Sequence, residues 1–111
     1  MPYIKSNDGR RKALQNGDVA ESAGELNYQC FYYIKHNVSE ILIRDFVDQF
    51  LSQGKNYQRY NDMTGALIRC YREVKRRLNY KADFLIEVLD SYDKEIEKYE
   101  DIKIIENGDV E

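Results

Sequence analysis

The residues best suited to binding a ligand lie in one polar stretch, GKNYQRYND, and in the helical segment that follows it. Lysine and arginine can neutralise a phosphate, tyrosine rings can stack on a base, and the amide-rich start of a helix favours an anion. We predict an anion-binding site from Lys55, Tyr57, Arg59, Tyr60, Asn61, Arg69, Arg72 and Arg76. The alternative is that the stripe of Arg69, Arg72 and Arg76 is a solvated helix face whose charge complements an acidic neighbouring helix.

Side chains for nucleophilic catalysis or zinc binding are scarce. His36 is the only histidine and falls at a predicted helix C-terminus, where an imidazolium suits the helix dipole. Cys30 and Cys70 are the only cysteines, and both lie on apolar helical stripes, so we expect them to be buried and reduced. We predict no catalytic residue, no metal and no cofactor, and we lean towards a protein that is not an enzyme.

One enzymatic alternative stays open. The all-α nucleotide pyrophosphohydrolases hold Mg²⁺ with carboxylates on facing helices, typically an ExxE followed by an ExxD on a later helix. Here Glu87 and Asp90 form the ExxD, whereas the ExxE of Glu97 and Glu100 comes after it on the same predicted helix. The order is reversed, which favours a solvated acidic face over a magnesium site.

Helical periodicity dominates the chain and predicts one mainly α domain over residues 1–111, a bundle of three to four helices within residues 22–101. The first helix spans 23–36, with a capping box of Ser22 and Glu25. A second starts from an Asn37 cap and ends before Gly54, and a third starts at Asn61 and carries an apolar stripe to Leu78. Residues 1–21 are predicted to form a short strand and a loop, in which Arg11 to Gln15 could form one helical turn.

A heptad-like seam marks the fourth predicted helix, 81–100. It consists of Leu85, Leu89, Tyr92, Ile96 and Tyr99, and we predict that it forms an oligomer interface. No glycine or proline separates this helix from the third, so the two could also form one rod of roughly 40 residues and about 60 Å.

The C-terminal stretch carries a hairpin signal. Asn107 and Gly108 suit a type I′ turn, and Ile104, Ile105 and Val110 flank them. We therefore predict a β-hairpin over 102–111, paired with a strand at Tyr3 to Lys5, because an isolated two-stranded ribbon is marginal in water.

Charge and hydropathy restrict the partners. The net charge of −3 argues against a surface devoted to nucleic acid. The first residues lack the apolar run of a secretory signal, and no window approaches a membrane span. We expect a cytoplasmic protein that does not associate with a membrane.

Four segments, MPYIK, AGELNY, NDMTGAL and YEDIKIIENGDV, resemble a family of short, uncharacterised phage, prophage and bacterial proteins. Members usually pass from an arginine-rich helix end almost directly into the YED segment, whereas this chain inserts about twenty residues after Arg77, the fourth predicted helix. The resemblance implies a phage-like context and no reaction.

The family resemblance and the basic, tyrosine-containing stretch together lead to the hypothesis of a non-enzymatic oligomer that sequesters a small nucleotide immune signal. If the protein is phage-encoded, we expect it in the host cytoplasm. The alternatives are a protein-binding adaptor acting through helix 81–100 and the Mg²⁺-dependent hydrolase; nucleic-acid binding ranks last.

Overall fold

The computed structural model describes residues 9–36, 39–78 and 82–107. For residues 106 and 107 it describes the backbone alone. Within these ranges the chain forms six α-helices and one π-helical turn, and it forms no strand. The elements are α1 (Gly9–Gln15), α2 (Ala23–Lys35), α3 (Glu40–Ser52), α4 (Tyr57–Glu73), the π-turn (Val74–Leu78), α5 (Asp83–Asp90) and α6 (Asp93–Asn107). The mainly α prediction is confirmed, while the terminal hairpin is wrong.

Helix α4 is the centre of the bundle and contacts α2, α3, α5 and α6. Most of its predicted apolar stripe is buried, while Tyr71 and Leu78 are partly buried. The inaccessible or nearly inaccessible members are Met63, Ala66, Leu67, Cys70 and Val74. Full burial of each larger side chain of this kind contributes roughly 1.5–3 kcal/mol to folding. The stripe therefore fixes α4 between its neighbours and leaves its other faces to line grooves.

The cap of α2 is confirmed, but its acidic partner does something different. The Ser22 hydroxyl accepts a hydrogen bond from the Glu25 amide at 3.2 Å. The Glu25 carboxylate does not return to Ser22; it accepts from the Glu21 amide at 2.9 Å and receives two bonds from Arg10, at 2.8 and 2.9 Å. The guanidinium lowers the pKa of Glu25, with the amide of Glu21 adding to the effect.

The segment predicted as an N-terminal loop contains helix α1, which polar side chains of α2 hold in place. Gln29 donates to the carbonyls of Leu14 and Asp18, at 2.9 and 2.7 Å, and the Tyr33 hydroxyl donates to the Gln15 carbonyl at 2.6 Å. Leu14 is fully buried beneath these bonds. Because α1 has this one buried side chain, hydrogen bonds carry much of its docking.

Helix α4 begins earlier than predicted. Its cap is Asn56, whose side-chain oxygen accepts from the Arg59 amide at 2.8 Å, and Asn61 lies inside the helix. Starting the helix at Tyr57 brings Tyr60 into the core, where it is 3% exposed. Two asparagines were equally good caps by type, and burial of Tyr60 favours the earlier one.

Helix α3 begins after Ser39, which makes no side-chain capping bond, and it ends before Gly54 as predicted. The predicted cap, Asn37, lies outside the described residues.

The fourth predicted helix is broken into α5 and α6 at Ser91 and Tyr92. The Ser91 hydroxyl donates to the Val88 carbonyl at 2.5 Å, and such bonds compete with the helical ladder. Both α5 and α6 pack on α4, so the chain turns back after the π-turn and does not form a long rod.

Helix α6 overturns the hairpin prediction, because it continues to Asn107 and places Ile102 to Ile105 in its last turns. Extending an existing helix adds about one hydrogen bond for each residue fixed, whereas a short ribbon needs a partner strand to be stable. The other parts of that prediction, Tyr3 to Lys5 and residues 108–111, lie outside the described residues.

None of the helices in the described ranges combines the length and the apolar character that crossing a bilayer requires.

Candidate functional site

Arg59, a predicted ligand-binding residue, instead joins three elements. Its Nε donates to the Phe50 carbonyl at 3.1 Å and one Nη to the Glu21 carbonyl at 3.0 Å, while the guanidinium lies 4.2 Å from the centre of the Phe50 ring. The Phe50 carbonyl belongs to the last turn of α3, where a cation offsets the helix dipole. Arg59 is therefore a structural clasp between α3, α4 and the segment before α2.

Among the other predicted residues of the polar stretch, Tyr57, Tyr60 and Asn61 line one cavity, described below, and Lys55 does not line it. Tyr60 is buried against Tyr99, with ring centres 5.1 Å apart, and burial raises the pKa of its hydroxyl. Lys55 and Tyr57 are exposed at the start of α4. The two cavities described below are lined by some of the predicted residues, and neither is lined by all eight.

The arginine stripe divides as well. Arg72 is exposed on α4. Arg76 pairs with Glu73 at 2.8 Å one turn away and lowers the pKa of that carboxyl. Arg69 lines the cavity described next, and Arg72 and Arg76 are not among its lining residues.

That cavity is an open groove of about 420 Å³ between α2 and α4, which we call the α2–α4 groove. Its volume is within the usual range for small-molecule sites. Small side chains create it, since a Cβ built on Gly65 meets nothing within 4 Å, and one built on Gly24 meets only the Ser22 hydroxyl at 4.0 Å. The lining residues are Ala23, Gly24, Asn27, Asn61, Asp62, Gly65, Ala66 and Arg69.

Asn27 gives the groove a buried polar group without a partner. The residue is 4% exposed, and its side-chain oxygen has no hydrogen bond among the described residues. An unsatisfied buried acceptor costs about 1–3 kcal/mol. A ligand N–H entering the groove would offset that cost.

Charges at two positions on α4 give the groove polarity along its length. Asp62 accepts from the Gln58 side-chain amide at 2.8 Å, and Arg69 follows seven residues later on the same face. Seven residues of helix correspond to about 10 Å. The groove can therefore engage a donor at one end and an anion at the other.

Sequence reasoning missed Gly24, Asn27, Asp62 and Gly65, although a signal for them was present. Seven of the eight lining residues fall within AGELNY and NDMTGAL, two of the segments that carry the family resemblance. The eighth, Arg69, was selected for its charge. Two segments distant in sequence meet in one groove because α2 packs against α4.

The predicted oligomer seam packs within its own chain. Leu85 is fully buried in the core and has no surface to offer a second copy. Leu89, Tyr92, Ile96 and Tyr99 are partly buried against the same core. The Tyr92 hydroxyl donates to the Asp48 carboxylate, and burial together with this bond raises the pKa of Tyr92.

A second cavity, of about 220 Å³, lies where α4 begins and where α5 and α6 pass over it. We call it the acidic groove. Its lining residues are Tyr57, Tyr60, Asn61, Thr64, Leu89, Asp90, Asp93, Ile96, Tyr99 and Glu100.

In the described part of the chain, no cluster of three or more His, Cys, Asp or Glu side chains is arranged to hold a metal ion. Glu87, half of the ExxD pair, is exposed, while its partner Asp90 borders the acidic groove.

Comparison of the chain with curated proteins and with solved structures found no match. A family model described as "Domain of unknown function (DUF6899)" matches residues 1–110. With all but one residue matched, the chain belongs to this family.

Proposed function

We propose that this protein is a non-enzymatic binding protein that holds a small polar ligand with an anionic group in the α2–α4 groove. The observation that carries the proposal is the buried, unpartnered side-chain oxygen of Asn27 at a groove that also presents Arg69. A buried acceptor without a partner is rare in native structures and asks for an explanation. A bound ligand supplies one.

The chemistry of the groove suits a nucleotide. Asn27 would accept from an exocyclic amine of a base, and the Asn61 and Asp62 side chains add further polar contacts on the facing helix. The guanidinium of Arg69, about 10 Å along α4 from Asp62, suits a phosphate. The glycines leave room for a flat ring to approach the helix backbones closely.

The finer proposal concerns biological context. The resemblance supports a phage-type origin, and a small non-catalytic nucleotide binder in that setting would sequester an immune signal of the host. An oligomer remains part of this proposal. Analogy supports it, because small phage proteins that sequester such signals are often oligomeric, and this argument comes from context and not from the fold.

The test is to incubate the purified protein with a panel of cyclic nucleotides and ADP-ribose derivatives, with Mg²⁺ and with EDTA. We expect one of them to raise the melting temperature and to be recovered chemically unchanged after heat denaturation. A panel in which nothing shifts the melting temperature would refute the proposal. Product formation that EDTA abolishes would favour the hydrolase.

Variants at the groove connect binding to the structure. Gly65→Leu places a bulky side chain in the groove at a position where a Cβ meets nothing within 4 Å, and it replaces a poor helix former by a good one. We therefore expect unchanged or higher stability and at least about a ten-fold loss of affinity. Arg69→Met should weaken binding by about ten-fold, as expected for loss of a charged contact. Arg72→Met is the matched control, because Arg72 is exposed on the same helix outside the groove. Equal affinities for all three variants would place the ligand elsewhere.

A further inference from the structure

The acidic groove has the opposite chemistry to the α2–α4 groove. Its three ionisable carboxyl groups, Asp90, Asp93 and Glu100, make no hydrogen bond or ion pair with the described residues, and no lysine or arginine lines it. Three unneutralised carboxylates around one cavity attract a cation. The anion that suits the first groove does not suit this one.

Tyr60 provides an independent indication of a ligand. It is 3% exposed, it lines the groove, and its hydroxyl makes no hydrogen bond to any described residue. The hydroxyl oxygen itself keeps some accessible surface, and the hydroxyl of a tyrosine whose ring is buried usually finds a partner. An N–H donor in the groove would supply the missing one.

Tyr57 has the most exposed of the three tyrosine rings at the groove and can attract an ammonium group, whereas Tyr60 and Tyr99 stack on each other. Tyr57, Tyr60 and Tyr99 all line the groove. The Lys98 ammonium of the chain itself already lies 5.8 Å from the centre of the Tyr99 ring, and Lys98 is not among the lining residues. Ammonium groups near tyrosine faces gain about 0.5–1 kcal/mol at exposed sites.

The groove is acidic at both ends and apolar between them. Asp93 and Glu100 lie seven residues apart on the same face of α6, about 10 Å along the helix. Ile96 of α6 lies between them, and Leu89 of α5 lines the same cavity. An elongated cation with methylene groups between its charges matches this pattern, whereas a compact divalent metal ion does not.

We propose that the acidic groove binds a free aliphatic polyamine, with an ammonium group at each acidic end and its methylene chain on Leu89 and Ile96. This site is separate from the α2–α4 groove and does not depend on the function proposed for it. The two grooves share one lining residue, Asn61.

The experiment is a calorimetric and NMR titration of the full chain with spermidine at a fixed ionic strength of about 150 mM, close to physiological. We expect one spermidine per chain, with chemical-shift changes at Tyr60 and Tyr99. n-Butylamine, with one charge, and Mg²⁺, without a methylene chain, should bind at least about ten-fold more weakly, because neither reaches both acidic ends. Equal binding of either would overturn the proposal.

Charge-neutralising variants supply the second measurement. Asp93→Asn and Glu100→Gln should each weaken spermidine binding by about two- to five-fold, the size expected for partly exposed ion pairs. Glu97→Gln is the matched control, since Glu97 is exposed on α6 and does not line the groove. If Glu97→Gln lowers the affinity as much as the other two, the polyamine is only screening the negative charge of the protein, and the site is refuted. A lysine-containing peptide that binds more tightly than spermidine would equally refute a free polyamine as the ligand.

Discussion

Replacing Arg59 by methionine should lower the stability of the protein without touching either groove. Arg59 was predicted from sequence to bind a ligand, but its guanidinium is bonded to the carbonyls of Phe50 and Glu21. Methionine keeps most of the aliphatic stem and removes the donors and the charge. The variant therefore separates a structural clasp from a binding residue.

The magnitude follows from three contacts. Each hydrogen bond to a carbonyl is worth about 0.5–1 kcal/mol here, since the side chain is partly exposed and solvent replaces part of what is lost. The guanidinium over the Phe50 ring adds about 0.5–1 kcal/mol. The sum is about 2 kcal/mol in the free energy of unfolding, equivalent to a fall of about 8 °C in Tm for a domain of this size.

Urea denaturation of the Arg59→Met variant, followed by circular dichroism, measures this loss. Arg72→Met is the control, because Arg72 is exposed on the same helix and should change the free energy of unfolding by less than about 0.5 kcal/mol. If the two variants have the same unfolding free energy, or if Arg59→Met loses ligand affinity at unchanged stability, the clasp interpretation is wrong.

Two further predictions concern ionisation. Arg10 lowers the folded-state pKa of Glu25 below its ordinary value of 4.5, so the ion pair stabilises the protein at neutral pH and this contribution is lost as pH falls through the folded pKa. The stability difference between the native protein and Glu25→Gln should therefore be largest near neutral pH and shrink on acidification. A difference independent of pH between 7 and 3 would contradict the assignment. Cys30 and Cys70 are buried and free, and burial raises the pKa of Cys30 to about 12, so both thiols should resist Ellman's reagent in the native protein and react fully in guanidinium chloride. Immediate reaction of either thiol in the native state would show that the core is open there.

The sequence predicted the helical scaffold well where an apolar stripe was long. The stripe on α4 and the Ser22 cap were both found, because each depends on local spacing. The start of α4 was misplaced because Asn56 and Asn61 are equivalent as caps until the burial of Tyr60 is known. The terminal isoleucines suggested a strand because β-branched residues favour strands on average, yet an adjoining helix that already extends from Asp93 decides their conformation.

The candidate sites were harder to predict because they arise from packing between elements. Arg59 has a side chain suited to binding an anion, but its guanidinium already donates hydrogen bonds to main-chain carbonyls of two other segments. Gly24 and Gly65 carry no reactive group, and their importance is the space they leave between α2 and α4. Asn27 becomes notable only when its side-chain oxygen is seen to be buried without a partner.

The position of α4 between acidic and basic surroundings gives the molecule a charge axis. The carboxylates of Asp90, Asp93 and Glu100 surround its first turns, while Lys75, Arg76 and Arg77 are exposed on the π-turn at its far end, about 25 Å away. Both groups of charge complement the dipole of α4, which is positive at the start of the helix and negative at its end. Each group of charge therefore stabilises the end of α4 beside it, and at 0.1 M salt, where charges are screened beyond about 10 Å, little of the field along this axis extends to other molecules.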